Sequence, residues 1–522
     1  MFMKKYILYA FCSVILLTGC TGGQKWGEYY GTEPVGDATD LNAPTRGTAG
    51  QKTVAVLLPD SDLGNGIRTS VQMAFIQQRP DDITVKFTDL SGSREMRAKQ
   101  MESALDSGPD LIIGPIFAED ADMLRGLKPE RTPVLSFTSD ATALGSGILT
   151  MALMPTQSVE ATVRHMASEG KKDMIILAPD NTSGHIMGNA ALDAAKIYGL
   201  QTHGFYYYTA GNMDSMKRAA ENATMFNARS NANTRAKEIL SDILMNKSLT
   251  AADRESITIQ LETRTKADTI GDLPYDAVLF LGTAADSKPL GSFLRYFDAP
   301  ARKVKFFGTA MWDNEAMFRD MTFSGASFTA LPAISPEFAN IYRDVNDTEP
   351  ERLSPMGYDA AMLAIRTLRS DRSTETYLMN PSGFRGLDGL IRFQPNGMSQ
   401  RALQVMTLDA SGTPKITAPA PINFIKPLYQ LPNQNASKHP EIKISAGVNP
   451  MDYLRLPENL RGAYNAKTYK QNNDTRQPVI VNQEEIIILP EDSSDPVLAD
   501  PDFEPTQLET VTRIFVDEVE VR

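Results

Sequence analysis

The chain has 522 residues, 42% of them apolar, with 52 basic and 64 acidic side chains and a formal charge of −12 at pH 7. That length and apolar content supply a sizeable core and predict two or three domains with tails. The acidic balance, with no basic face anywhere, excludes a nucleic-acid partner, and two cysteines exclude a disulfide framework.

Residues 1–19 open with Lys4 and Lys5, run through apolar residues from Tyr6 to Leu17 and end on Thr18 and Gly19. These are the charged, apolar and small-residue regions of an export signal. The apolar run is shorter than the roughly 20 residues that a membrane-spanning helix needs, and no later run reaches that length. Removal of the signal takes Cys12 with it and leaves Cys20 as the only cysteine. Residues 20–51 are rich in Gly, Thr, Pro and Asp with no aliphatic pattern, which predicts a flexible tether.

A periodic body begins at Lys52. Continuous apolar runs at residues 54–58, 111–113, 134–137, 174–178 and 277–281 read as parallel strands covered on both faces. Amphipathic segments at 66–78, 94–106, 119–127, 156–168 and 184–198 read as helices. The resulting β-α-β-α order predicts an α/β, doubly wound fold. Between Tyr208 and Tyr275 a polar stretch has helical periodicity at 213–226 and 234–245 and no strand signal. A crossover needs only about a dozen residues, so residues 212–272 are expected to be a helical insertion.

The periodicity stops near Ile425. Pro, Asn and Gln are dense from 426 to 477, and residues 482–522 hold twelve acidic side chains against two basic. The segment 426–522 is therefore expected to be a largely disordered tail. Two β-prone islands in it, 485–489 and 511–521, are the kind that add to a partner's sheet edge.

Motifs for chemistry are sparse. Gly64, Asn65 and Gly66 follow the first strand where a dinucleotide fingerprint would sit, but Thr69 replaces the glycine needed for close packing. Asp60 and Asp62 would also repel a pyrophosphate. His165, His185, His203 and His439 lack metal-ligand spacing, and Glu119, Asp120 and Asp122 sit at a helix start, where they complement the macrodipole. There is no nucleophile elbow and no phosphate loop. The expectation is a protein that is not an enzyme, with no catalytic residue, cofactor or metal.

Five stretches occur in order: Val-Ala-Val-Leu-Leu-Pro-Asp-Ser (54–61), Leu-Ile-Ile-Gly-Pro-Ile-Phe (111–117), Pro-Val-Leu-Ser-Phe-Thr-Ser (133–139), Gly-Tyr-Asp-Ala-Ala-Met-Leu-Ala (357–364) and Gly-Leu-Asp-Gly-Leu-Ile-Arg-Phe-Gln-Pro-Asn-Gly (386–397). Together, over about residues 52–415, they resemble the type I periplasmic-binding-protein fold, and most of all the penicillin-binding protein activators of the LppC lipoprotein family. The resemblance implies two α/β lobes joined by three crossovers, lobe one at about 52–153 and 326–385, lobe two at about 154–325 and 386–415. Leu17-Thr18-Gly19-Cys20 similarly resembles a bacterial lipobox. That resemblance implies acylation of Cys20, which anchors durably, and Thr21 in place of Asp at the second mature position implies the outer membrane, facing the periplasm.

Strand ends line the crevice in sheets of this kind. By position, Asp60, Ser61, Pro115, Phe117, Ser136, Thr138, Ser139, Asp180, Ser183, Trp312, Asp313 and Tyr358 are expected at the cleft. The ligand-binding version of the fold holds an amino acid's carboxylate and ammonium with hydroxyls, backbone N–H groups and a carboxylate. Here Ser136 and Thr138 are available, while Phe137 and Phe117 add bulk.

The resemblance implies two functions. The first expectation is an outer-membrane lipoprotein that binds and activates a peptidoglycan synthase, a penicillin-binding protein, and so regulates cell-wall synthesis. This sequence lacks the N-terminal helical-repeat domain of the longest activators. The alternative is a solute-binding lipoprotein of an ABC importer for amino acids or related small molecules, with its ligand in the cleft.

Overall fold

The computed structural model describes residues 34–43, 50–424, 434–444, 447–458 and 460–462. The expected signal, Cys20, most of the tether and the acidic tail with both β-prone islands lie outside the described residues. The described residues up to Pro457 form one compact unit. Beyond it, the few described residues from Glu458 to Gly462 are helical.

Lobe one is built on five parallel strands in the order Ile83–Leu90, Lys52–Pro59, Leu111–Ile113, Val134–Ser136 and Ile148–Thr150. Their unbroken apolar runs follow from cover on both faces: Val54 to Leu58 and Leu111 to Ile113 are at most 1% exposed. Helix Asp62–Gln78 starts on Ser61, whose hydroxyl accepts from the Gly64 N–H, and packs along helix Ser354–Leu368. Gly357 permits that approach, since a Cβ there would lie 2.7 Å from the Ile67 carbonyl oxygen.

Lobe two carries seven strands in the order Pro414–Ala418, Gln404–Leu408, Ser327–Ala330, Lys305–Gly308, Ala277–Phe280, Asp173–Pro179 and Gln201–Tyr208. The first two are antiparallel to their neighbours and the rest are parallel. A third, four-stranded sheet joins Thr39–Asp40, Phe384–Gly386, Gly389–Phe393 and Ser399–Arg401. The chain passes to lobe two after Thr150, returns after Ala330 and re-enters lobe two at Gln404, which makes three crossings.

The structure corrects five expectations. Ser327–Ala330 belongs to the lobe-two sheet, because its fully buried run pairs with Lys305–Gly308 before the chain turns back. Residues 386–401 contribute to the third sheet and not to lobe two. Part of the tether is folded: Thr39–Asp40 pairs with Phe384–Gly386, and Leu41 is fully buried.

The tail is corrected as well. Residues 434–444 run down the open edge of Gln201–Tyr208, with Phe205 and Ile442 exchanging backbone hydrogen bonds of 2.8 and 3.1 Å. Met451 and Leu454 are buried beyond them. An edge strand with unpaired N–H and C=O groups invites such cover.

In the expected insertion, Met213–Ala223 packs on Gln201–Tyr208 and on Ala284–Tyr296 as an ordinary crossover helix. Phe226–Leu244 and Ala251–Thr265 are the extra helices. Arg229, 2% exposed, anchors the first of them by an ion pair of 3.2 Å to Asp298 and a bond to the Gly271 carbonyl. No helix among the described residues is long and apolar enough to cross a membrane.

Candidate functional site

The carboxyl ends of the parallel strands in the two lobes lead into one cavity of about 260 Å³. Phe137 and Ser139 follow strand Val134–Ser136, and Ala152 and Leu153 follow Ile148–Thr150. From lobe two come Ala310 and Asp313, just after Lys305–Gly308. Leu331 stands at the second crossing, and Arg352, Leu353 and Met356 stand at the start of the returning helix.

Local folding sets the polar groups. Trp312 is fully buried, its indole N–H donates to the Ser287 hydroxyl at 2.9 Å, and its ring packs against Phe280 and Phe323. Asp313 is the next residue, so that anchor fixes where its carboxyl emerges. The Ala310 N–H donates to the Ser158 hydroxyl at 2.7 Å and holds the turn to the first lobe-two helix. Asp313 keeps contact with solvent inside the concave cleft, yet the surrounding protein pushes its carboxyl above the usual carboxylate range, opposed by the positive charge of Arg352.

Arg352 donates to Asp388 Oδ1 at 2.7 Å and to the Pro332 carbonyl at 3.2 Å. Asp388 is also paired with Arg401 at 2.7 Å, and both side chains are 1% exposed. Beside them, the wholly buried Asp359 accepts the N–H groups of Leu387 and Asp388 at 2.7 and 2.9 Å. Burial pushes its carboxyl up to about 7. The two aspartates of the motifs 357–364 and 386–397 thus meet at the crossings.

A cavity between two parallel-sheet lobes, reached by strand ends and bordered by the first and second crossings, stands where open α/β sheets place a ligand crevice. A family model described as periplasmic binding protein matches residues 51–413. The chain belongs to the periplasmic binding protein family. Members of this family bind and do not catalyse, and their compartment is the periplasm.

Among solved structures, this periplasmic binding protein is similar to the ligand-binding protein of a branched-chain amino acid ABC transporter from Burkholderia xenovorans. The two share 16% identity over 70% of this chain and 95% of that one, with a TM-score of 0.50. It is also similar to a protein assigned to a branched-chain amino acid ABC transporter of Rhodospirillum rubrum, at 13% identity over 70% and 99% of the two chains, with a TM-score of 0.51. At these identities the likeness establishes the fold. No curated protein sequence matches.

Of the residues expected at the cleft of this periplasmic binding protein, Ser139 and Asp313 line the cavity. The others are placed elsewhere. Ser61 is a helix cap and Asp60 beside it is exposed. Ser136 is buried, donating to the Pro115 carbonyl at 2.8 Å and accepting from the Thr138 N–H, while the Thr138 hydroxyl accepts from the Asp140 N–H. These bonds shape the loop that presents Ser139. Phe117 is 51% exposed at the start of a helix. Trp312 is core.

Asp180 stands at the end of Asp173–Pro179 and is held by His185 and Lys438, which lower its carboxyl's proton affinity. Ser183 is exposed in the helix that follows. Tyr358 donates to Gln77 at 2.7 Å. It lines a larger groove of about 480 Å³ with Met73, Ile76, Phe338 and Ile341, beside helices Asp62–Gln78 and Pro336–Asn346. That groove lies away from the strand ends and has no arginine in its lining.

Arg352, Leu331, Leu353 and Met356 were not legible beforehand. For Arg352, Leu353 and Met356 a signal existed in their position just ahead of the Gly-Tyr-Asp motif. Among the described residues no group of three or more His, Cys, Asp or Glu side chains is placed to hold a metal ion.

Proposed function

We propose that the protein is a solute-binding protein that captures a small zwitterion, an amino acid or a close relative, between its lobes for delivery to an ABC importer. One observation carries this reading: the Ser139 hydroxyl on lobe one and the Asp313 carboxyl on lobe two, neither with a partner among the described residues, line the same cavity, whose remaining wall is largely apolar. At about 260 Å³ the cavity falls just below the roughly 300–1,000 Å³ of drug-sized sites, which suits a metabolite of amino-acid size. The branched-chain amino acid systems named for the similar structures agree with that class. Thermal unfolding of the purified protein against the common L-amino acids and small carboxylates tests it. A ligand-specific rise in midpoint supports the reading, and a flat response across the panel overturns it.

The activator reading is the second proposal, favoured by the order of the five motifs and by the helix pair 226–265 added to lobe two. Purification from crosslinked envelopes separates the two readings: a peptidoglycan synthase enriched with the protein supports the activator, and a permease supports the importer. We also propose acylation of Cys20 and outer-membrane anchorage, from the lipobox resemblance alone. Loss of a radiolabelled palmitate signal in Cys20→Ala is the expected result, and labelling that persists contradicts it.

A further inference from the structure

Among the described residues one cation lines the cleft, and the structure holds it in advance. Arg352 comes from the loop before helix Ser354–Leu368 and lines the cavity. A guanidinium has five N–H donors in a rigid fork, and Arg352 uses one on Asp388 and one on the Pro332 carbonyl. The other donors have no protein partner among the described residues, and the side chain is 37% exposed. Its orientation is fixed from behind, because Asp388 is buried and is itself gripped by the buried Arg401. A charged group preorganised by a second, hidden ion pair binds without the entropy cost of ordering a long side chain.

The opposite charge is equally specific. The Asp313 carboxyl makes no hydrogen bond or ion pair among the described residues, and Arg352 is the cation that bears on its titration. Phe137, Leu153, Leu331, Leu353 and Met356 line the same cavity. The cleft therefore carries a positive group, a negative group and a mostly apolar lining, while the Ser136 hydroxyl is spent on the Pro115 carbonyl and the Thr138 oxygen accepts from the Asp140 N–H.

We propose that Arg352 is the specificity-determining residue of the cleft: it takes the carboxylate of an apolar amino acid, whose ammonium is taken by Asp313. This rests on the solute-binding reading above. Charge-assisted, forked hydrogen bonds favour a planar carboxylate over a neutral amide, so the ligand's anionic end is what Arg352 selects.

The test compares binding of L-leucine and L-leucinamide, which differ in the carboxylate, by calorimetric titration of the full chain. Wild type should bind leucine at least tenfold more tightly than the amide. In Arg352→Gln the two should bind within about twofold of each other, because leucine weakens while leucinamide is nearly unchanged, and Arg352→Lys should restore part of the preference. A merely structural role for Arg352 would weaken both probes together. A carboxylate preference that survives in Arg352→Gln overturns the proposal. If wild type binds neither probe, the amino-acid reading of the cleft fails first and the role of Arg352 falls with it.

Discussion

Arg401 Nη2 lies 2.7 Å from Asp388 Oδ2, and both side chains are 1% exposed. Arg401 ends the last strand of the third sheet, at the third crossing, and its guanidinium also donates to the Met151 carbonyl at the first crossing. The Arg401 carbonyl in turn accepts from Gln157 at 2.7 Å. Two of the three connections between the lobes are therefore one hydrogen-bonded unit. Removing one partner of a buried ion pair leaves an uncompensated charge, at a cost of about 3–5 kcal/mol. Because Asp388 keeps Arg352, Arg401→Met should lose about 3 kcal/mol, the low end of that range. Urea unfolding checks this, and a change under about 1 kcal/mol would mean that the pair contributes little.

Asp359 gives a pH signature. An unfolded aspartate titrates near 3.9, while burial pushes Asp359 up to about 7. The folded protein keeps a proton that the unfolded chain has lost, so this group's contribution to stability is present below about pH 4 and is lost as the pH rises through 7. Asp359→Asn removes the titration and leaves a constant penalty at one of the two N–H groups. Between pH 4.5 and 7.5 the unfolding midpoint of wild type should fall relative to that of the variant. A difference that stays constant with pH would contradict the assignment.

The segments 434–444 and 447–457, together the strap, should stabilise lobe two. Asn189 donates to the Asn435 and Ser437 carbonyls at 2.9 and 2.8 Å, Lys438 pairs with Asp180 at 2.7 Å, and Arg455 and Gln260 exchange two bonds. Ile442→Pro removes the N–H that bonds the Phe205 carbonyl and leaves a buried acceptor unmet, at about 1–3 kcal/mol. The expected result is a lower unfolding midpoint and faster hydrogen exchange along Gln201–Tyr208. Exchange unchanged from wild type would show that the strap is not held there.

The sequence made the scaffold legible where burial is continuous. The run 54–58 and the run 277–281 carry no polar residue, because both faces of their sheets are covered. It hid what depends on single contacts. Thr39–Asp40 is two residues long and has no period to read, and the strap meets its neighbour strand at one bridge. Arg352 reads as a surface charge, since its partner Asp388 lies 36 residues away. Trp312 and Asp313 are adjacent, yet one is core and the other lines the cleft. Position at a strand end could not separate them, because that difference is set by which way the turn faces.

The most direct measurement is calorimetric titration of L-leucine into the wild-type protein and into Asp313→Asn. Asp313 lies outside the buried ion-pair network, so the variant should keep the wild-type unfolding midpoint within about 2 °C, a stability change well under 1 kcal/mol. The account predicts saturable one-to-one binding to wild type and at least tenfold weaker binding to Asp313→Asn. No binding to wild type, or equal binding to both proteins, would contradict an amino-acid cleft built around that carboxyl.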